Sequence, residues 1–170
     1  MTIALLVLAL VATLPGWVLR DTSWAHTTGA AVGVLAVLGL GCWMVFDPAW
    51  VATGDVARGT HLVLTAALAV LGGGPVAAAV LHRVETDGEV EQAGRVLRGG
   101  AWIGAMERAA IFAAVATGWP EGLAVVLALK GLGRYPELRL PGAAERFIIG
   151  SFASVLWALA AAGLLQAFRS

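Results

Sequence analysis

Long apolar runs separated by short polar segments dominate the pattern of this chain. Most of the runs approach the ~20 apolar residues that a helix needs to cross the hydrocarbon core of a bilayer. We predict one membrane-spanning helix in each run, at residues 2–19, 26–46, 59–81, 99–118, 121–135 and 145–168. The pattern therefore predicts an all-α, polytopic membrane protein with about six transmembrane helices.

These runs form two groups of three. We predict a single integral membrane domain over residues 1–170, with three spans in residues 1–81 and three in residues 99–170. The connecting segment, 82–98, is polar and is predicted to be a cytoplasmic loop. Within it, Thr86-Asp87-Gly88-Glu89 fits a capping box, which predicts a short helix.

Three of the predicted spans have weak points, and the first of these is Pro15-Gly16, which can kink the first span. Gly72-Gly73-Gly74-Pro75 lies inside the third run. Because glycine and proline are poor helix formers, we predict that this span is interrupted there, as two half-helices. The fifth run, 121–135, is short for a membrane span.

Composition agrees with a membrane protein and excludes several other classes. Hydrophobic residues make up 59% of the chain and charged residues 13%, against ~45–50% and ~25% in ordinary globular domains. The formal net charge is zero, which gives no reason to expect nucleic-acid binding. The single cysteine, Cys42, and three histidines without ligand spacing predict neither a metal site nor a cofactor.

Arginine residues are distributed unequally between the two sides of the predicted arrangement. Seven arginines fall on one side, and Arg58 and Arg169 fall on the other. Basic residues are retained in the cytoplasm, so we predict that both termini are extracytoplasmic. No basic residue precedes the first apolar run, and we predict no signal peptide.

Two ionisable residues, Glu107 and Lys130, lie inside predicted spans of the second half. A charge at the bilayer centre costs roughly 2.5–3.5 kcal/mol on insertion scales, so it usually has a partner or a function. Spans four and five are predicted to form a tight, charged helical hairpin about Pro120. Helical rise then places the two charges at depths about 4–5 Å apart, and we predict that they contact each other.

We predict that a hypothetical substrate-binding site surrounds this pair. Arg134 and Glu137 follow Lys130 at i+4 and i+7, on one face, and Pro136 is predicted to end the helix at Tyr135. Glu145 begins span six near the same interface. Arg108 projects away from its neighbour Glu107 and needs a partner of its own, whereas Ser151 is interpreted as a packing residue. We predict no catalytic residue. The predicted binding residues are Glu107, Arg108, Lys130, Arg134, Glu137 and Glu145.

The second half also carries a series of short motifs: Trp102-Ile103-Gly104, Glu107-Arg108, Lys130-Gly131, Arg134-Tyr135-Pro136-Glu137 and Glu145-Arg146-Phe147-Ile148-Ile149-Gly150-Ser151. Over residues 99–168 these motifs resemble a family of uncharacterised bacterial integral membrane proteins, best represented in actinobacteria. The resemblance implies a location in the bacterial plasma membrane and highlights the same charged positions. It implies no reaction.

Three functions are compatible with these features. The leading one is transport or binding of a solute or anion, with Glu107 as a proton- or cation-responsive carboxylate, Lys130 as its counter-ion and Arg134 at the cytoplasmic mouth. The second is an accessory subunit of a membrane complex, in which the pair only fixes helix packing. The third is a membrane enzyme acting on a lipid phosphate. The expected partners are the lipid bilayer and either a second copy of the chain or another membrane protein.

Overall fold

The computed structural model describes residues 2–13, 32–37, 39, 54–84, 100–139 and 142–169. Helices account for nearly all of these residues, and none of them forms a strand. The predicted all-α class is confirmed for this part of the chain.

Six α-helices have defined bounds within the described residues. They are α1 (Thr2–Thr13), α2 (Asp55–Ala67), α3 (Gly73–Val84), α4 (Gly100–Ala116), α5 (Gly122–Gly133) and α6 (Ala143–Arg169). Residues 32–37 are also helical. A π-helical turn, Leu68–Gly72, joins α2 to α3, and a short 3-10 helix, Glu137–Arg139, precedes α6.

Helix α6 is central and packs against α2, α3 and α4. Its apolar side chains contribute to two buried clusters. The first joins α6 to α1 and the π turn through Leu6, Leu68, Trp157, Leu164 and Phe168. The second joins α6 to α4 through Ala69, Phe112, Ala161, Ala162 and Leu165.

The hairpin between α4 and α5 forms about Pro120, as predicted. Gly118 has a φ of +76°, a conformation that glycine adopts at little cost. The N–H of Trp119 donates to the carbonyl of Ala114 at 2.8 Å, and that of Gly118 to the carbonyl of Val115 at 3.1 Å. This pair of bonds is the Schellman pattern that ends a helix, so α5 runs back beside α4.

Helices α3 and α5 end, and α4 and α6 begin, around one shared cavity at one end of the bundle. This end carries Arg134 and Arg146 and is named the charged end below. At the opposite end, Arg169 donates to the carbonyl of Ala116 at 2.9 Å. A cation there satisfies a terminal carbonyl of α4 and complements the helix dipole.

Two helices have the length and composition to cross a membrane. Asp55–Arg83 has 29 residues and Ala143–Arg169 has 27, which correspond to about 43 and 40 Å of helical rise. The apolar helices Ile3–Thr13 and Gly122–Gly133 are shorter. This finding agrees with membrane association, and the six-span arrangement stays a prediction.

The predicted break in the third span does not occur. The chain remains helical from Asp55 to Val84, and the Gly72–Pro75 segment is preceded by the π turn. Pro75 has no N–H to donate, and in a regular helix its ring would clash with the carbonyl of Leu71. A wide π turn at this point relieves that clash without ending the helix.

Helix α5 ends two residues earlier than the predicted end at Tyr135. It stops at Gly133, and Arg134 has a φ of −115° and a ψ of 6°. Pro136 disfavours helical geometry at the residue before it, and Glu137 begins the separate 3-10 helix. The prediction that Glu137 continues the helical face of Lys130 and Arg134 is therefore wrong, whereas Lys130 and Arg134 do line the same cavity.

The predicted capped helix lies outside the described residues, because the structure describes nothing between 85 and 99. Most of predicted span 26–46 is outside them as well. Neither prediction is tested.

We expect Gly72→Ala to destabilise the protein, by about 1–3 kcal/mol as for other overpacked cores. A Cβ at this position would lie 2.9 Å from Cε2 of Trp157, which is too close for an unshifted contact. Gly163→Ala in α6 is the matched control, because its Cβ would meet nothing within 4 Å. Denaturant titration in one detergent measures both variants. Equal stability of the two would contradict the close packing at the π turn.

Candidate functional site

A partly open cavity of about 340 Å³ lies at the charged end, between α3, α4, α5 and α6. Its polar lining includes Glu107 and Lys130, and its apolar lining includes Leu81, Leu129 and Phe147. Cavities that bind small molecules in proteins have volumes of ~300–1,000 Å³ and mix apolar walls with a few polar groups. The cavity therefore has the size and lining of a small ligand site.

Glu107 and Lys130 form an ion pair in this cavity. Nζ of Lys130 donates to Oε2 of Glu107, and the two side chains are only 16% and 11% exposed, respectively. The ammonium also lies 5.7 Å from the centre of the Phe147 ring on α6, within the range of a cation–π interaction. The predicted contact between the two charges is confirmed.

The second oxygen of the Glu107 carboxylate, Oε1, does not accept a hydrogen bond from Lys130. Oε1 is buried and accepts no hydrogen bond from the residues that the structure describes. A carboxylate can accept several hydrogen bonds, and leaving a buried acceptor unsatisfied is costly. The pair thus retains hydrogen-bonding capacity next to a cavity.

Arg108 has a different environment from its neighbour Glu107. Its side chain is 3% exposed. Nε and Nη2 donate to the carbonyl of Val70 at 2.9 and 2.8 Å, and Nη1 donates to Oγ of Ser154 at 3.2 Å. The partner that Arg108 was predicted to need is therefore a backbone carbonyl of the π turn, together with a serine on α6.

A second donor binds the same turn. Nε1 of Trp157 on α6 donates to the carbonyl of Leu68 at 2.9 Å. Carbonyls in a π turn deviate from regular helical hydrogen bonding, and here side chains from α4 and α6 supply donors to two of them. These side-chain hydrogen bonds therefore tie the turn between α2 and α3 to α4 and α6, in addition to the direct packing of α2 and α3 against α6.

Two glycines give the Arg108 guanidinium its space. A Cβ on Gly73 would lie 2.8 Å from Nε of Arg108, and one on Gly104 would lie 3.0 Å from Nη1. Gly73 is on α3 and Gly104 is one helical turn before Arg108 on α4. Larger residues at either position would displace the guanidinium from Val70.

Arg134 and Arg146 complete the cationic lining of the cavity. Arg134 follows the last residue of α5, and Arg146 lies in the first turn of α6. Each makes further interactions. Both are placed at the charged end because α5 ends there and α6 begins there.

The predicted binding residues have different positions in the structure. Glu107, Arg108, Lys130 and Arg134 line the cavity. Glu145 is exposed and is not part of the lining, and the side chain of Glu137 lies outside the described part of the chain. Glu137 was assigned to the cluster by its spacing from Lys130, and Glu145 by its position at the start of predicted span six.

Three polar lining residues on α6 were not predicted as site residues: Arg146, Ser151 and Ser154. Ser151 is 8% exposed, and its Oγ has no hydrogen-bond partner among the described residues. The available signal was the spacing of Arg146, Gly150 and Ser154, which recur every four residues on an apolar helix and so share a face.

Comparisons with known proteins add no further assignment. No family model, curated protein or solved structure matches this chain. The resemblance of residues 99–168 to a bacterial membrane protein family therefore stays a prediction.

Proposed function

We propose that the protein is a multi-pass bacterial membrane protein of about six spans that binds and transports a solute through the cavity at Glu107 and Lys130. The observation that carries this proposal is the cavity itself, which reaches a buried ion pair whose second carboxylate oxygen is unused. Ionisable residues inside membrane spans typically mark pathways for ions or substrates.

Exposed apolar surface supports the membrane location. Leu129, Leu132, Phe152 and Leu156 are between 61% and 72% exposed, although they belong to the apolar helices α5 and α6. Large contiguous apolar surfaces on a protein need a covering partner or a membrane. Lipid chains would cover these side chains in a bilayer.

Arginine and tryptophan positions support the orientation. Arg134, Arg139 and Arg146 belong to the charged end, whereas Trp102 and Trp119 are exposed near opposite ends of α4. Basic residues favour the cytoplasmic side, and tryptophans favour both interfaces. In this proposal the cavity opens towards the cytoplasm, and both termini are extracytoplasmic.

The ion pair suggests how a solute would be accepted. An anionic solute can replace the carboxylate as the partner of Lys130, and a cation or proton can then neutralise Glu107. Such an exchange avoids leaving either charge alone in a medium of low dielectric. Glu107 would be the proton- or cation-responsive group, and Lys130 its counter-ion.

The alternative function, an accessory subunit of a membrane complex, does not require an accessible cavity. If the pair only holds helices together, water and solutes need not reach it. The buried Arg108 network is an interaction of this structural kind. Access to the cavity therefore separates the two functions.

We expect a cysteine introduced by Ala77→Cys to react with a membrane-impermeant thiol reagent added from the cytoplasmic side. Ala77 lines the cavity from α3. Ala79→Cys is the matched control, because Ala79 is on the same helix but is 6% exposed within the apolar core. Both changes are made with Cys42 replaced by alanine, and mass spectrometry quantifies the labelled fraction.

Labelling of Ala77→Cys with little labelling of Ala79→Cys would support a water-filled cavity. If the two variants are equally inert, the cavity is closed to water, and the accessory-subunit function replaces transport.

A further inference from the structure

The charge balance of the cavity is the first indication of what it binds. Four cationic side chains line it, against the single carboxylate of Glu107; they are Arg108, Lys130, Arg134 and Arg146. Arginine guanidinium groups do not lose their charge in proteins. Among the described lining residues, positive charge is therefore in clear excess, which favours an anionic ligand.

Two serine hydroxyls add hydrogen-bond donors to this positive field. Oγ of Ser151 is buried and makes no hydrogen bond within the described part of the chain. Oγ of Ser154 accepts from Arg108 at 3.2 Å, and a hydroxyl that accepts a hydrogen bond can also donate one. Each serine hydroxyl supplies one donor, and both side chains line the same cavity.

The remainder of the wall is apolar. Leu81, Ile103, Leu129 and Phe147 line the cavity together with the polar groups. Ile103 and Leu129 are also 38% and 66% exposed on the outside of α4 and α5. An apolar portion of a ligand could therefore extend from the cavity along the surface that the proposed function places in lipid.

We propose that this cavity binds the phosphate group of an amphiphilic molecule, as in a phospholipid with a monoester headgroup. A phosphate monoester offers several acceptor oxygens and more than one negative charge, which fits several cations with hydroxyl donors. A carboxylate would use fewer of these donors. The inference deepens the proposed function, since it names the class of the solute that the cavity takes.

The geometry assigns separate roles to the cations. All three guanidinium nitrogens of Arg108 already donate to Val70 and Ser154, so it contributes positive potential. Lys130 can turn from Glu107 to a phosphate oxygen, and Arg146 and Ser151 both line the same cavity from α6. The direct phosphate contacts are thus assigned to Lys130, Arg146 and Ser151.

Binding of dioctanoyl phosphatidic acid to the purified full chain in a neutral detergent tests this inference. Native mass spectrometry measures binding in parallel with dioctanoylglycerol, which has the same chains without phosphate, and with inorganic phosphate alone. We expect phosphatidic acid to bind with a Kd at least tenfold lower than either comparison ligand. We also expect it to protect the Ala77→Cys variant from the thiol reagent, which places the ligand in the cavity.

Three variants locate the phosphate contacts. Ser151→Ala and Arg146→Gln should each weaken phosphatidic acid binding roughly tenfold, the usual size of a hydrogen bond to a charged group. Arg139→Gln is the control, because it removes an exposed positive charge from the same end without touching the cavity. Ser151→Ala makes the smallest change to packing, so it keeps the test valid if Arg146→Gln does not fold.

The outcomes separate this inference from the proposed function. If Ala77→Cys is labelled but phosphatidic acid binds no better than dioctanoylglycerol, the phosphate assignment is wrong and the cavity takes another solute. Equal affinity for inorganic phosphate would assign a soluble phosphate and contradict a lipid-borne one. Unchanged binding in Ser151→Ala and Arg146→Gln would place the lipid elsewhere. If Ala77→Cys is not labelled, the proposed function fails as well.

Discussion

Arg108→Leu is expected to lower the free energy of unfolding by about 1–3 kcal/mol, the usual cost of leaving a buried hydrogen-bonding group unsatisfied. Arg108 is 3% exposed and supplies two hydrogen bonds to the Val70 carbonyl and one to Ser154. Leucine leaves both acceptors unsatisfied in the bundle interior. Denaturant titration in detergent micelles measures the change.

Arg108→Lys provides a sharper comparison than leucine alone. Lysine keeps the charge, but its ammonium lacks the planar fork with which Nε and Nη2 hold one carbonyl. We expect an intermediate loss of stability. Arg139→Leu is the control, because Arg139 is exposed, and it should have little effect. If Arg108→Leu is as stable as the Arg139 control, the guanidinium does not hold the π turn.

The contact between Glu107 and Lys130 could be predicted because it depends only on helical rise and on one turn. Pro120 fixed the position of the hairpin, and the rise per residue then gave the depth of each charge. A Schellman turn at Gly118 keeps the hairpin tight in the structure. Opposite charges at matched depth in a low dielectric have few other partners, so the inference needed no knowledge of other helices.

The partner of Arg108 could not be predicted in that way. Its acceptor is the backbone carbonyl of Val70 in a π turn, and every residue has a carbonyl, so no side-chain pattern marks it. Gly72 through Pro75 did signal an irregular helix. Whether proline breaks a helix or widens one turn depends on donors from neighbouring helices, here Arg108 and Trp157, which the local sequence does not specify.

The residues of the cavity differ from the predicted site residues at the end of α5 and the beginning of α6. Glu137 was assigned to the site by its spacing from Lys130, but α5 ends at Gly133. Glu145 was assigned to the site because it begins predicted span six at the same interface, but Glu145 is exposed and does not line the cavity. Ser151 was interpreted as packing because its neighbours are apolar. It lines the cavity because α6 begins at the same end of the bundle as α4, a relation between distant elements.

Glu107→Gln alone and Lys130→Met alone are each expected to destabilise the protein by about 3–5 kcal/mol, because either change leaves one charge nearly buried without its partner. The side chains of Lys130 and Glu107 are only 16% and 11% exposed, respectively. Asp55→Asn is a matched control, since it removes the acid of an exposed pair with Arg58 at 3.9 Å. Exposed pairs contribute little, so this variant should unfold like the wild type.

Glu107→Leu combined with Lys130→Met should recover most of the lost stability, to within about 1 kcal/mol of the wild type, because apolar residues of similar size can replace a buried pair at little cost. Denaturant titration of the wild type, both single variants and the double variant gives the coupling energy. Additive losses in the double variant would show that the two charges do not stabilise each other.

The same double variant separates a structural pair from a binding site. If it is stable but binds dioctanoyl phosphatidic acid at least tenfold more weakly than the wild type, Lys130 contacts the phosphate in addition to Glu107. Unchanged binding would limit the pair to helix packing. A stable protein with lost binding is the result we expect, because the ion pair lines a cavity and leaves Oε1 of Glu107 without a partner among the described residues. If the ion pair served helix packing alone, a hydrogen bond to Oε1 of Glu107 would make the protein more stable. The absence of such a bond among the described residues therefore favours a binding role for the pair.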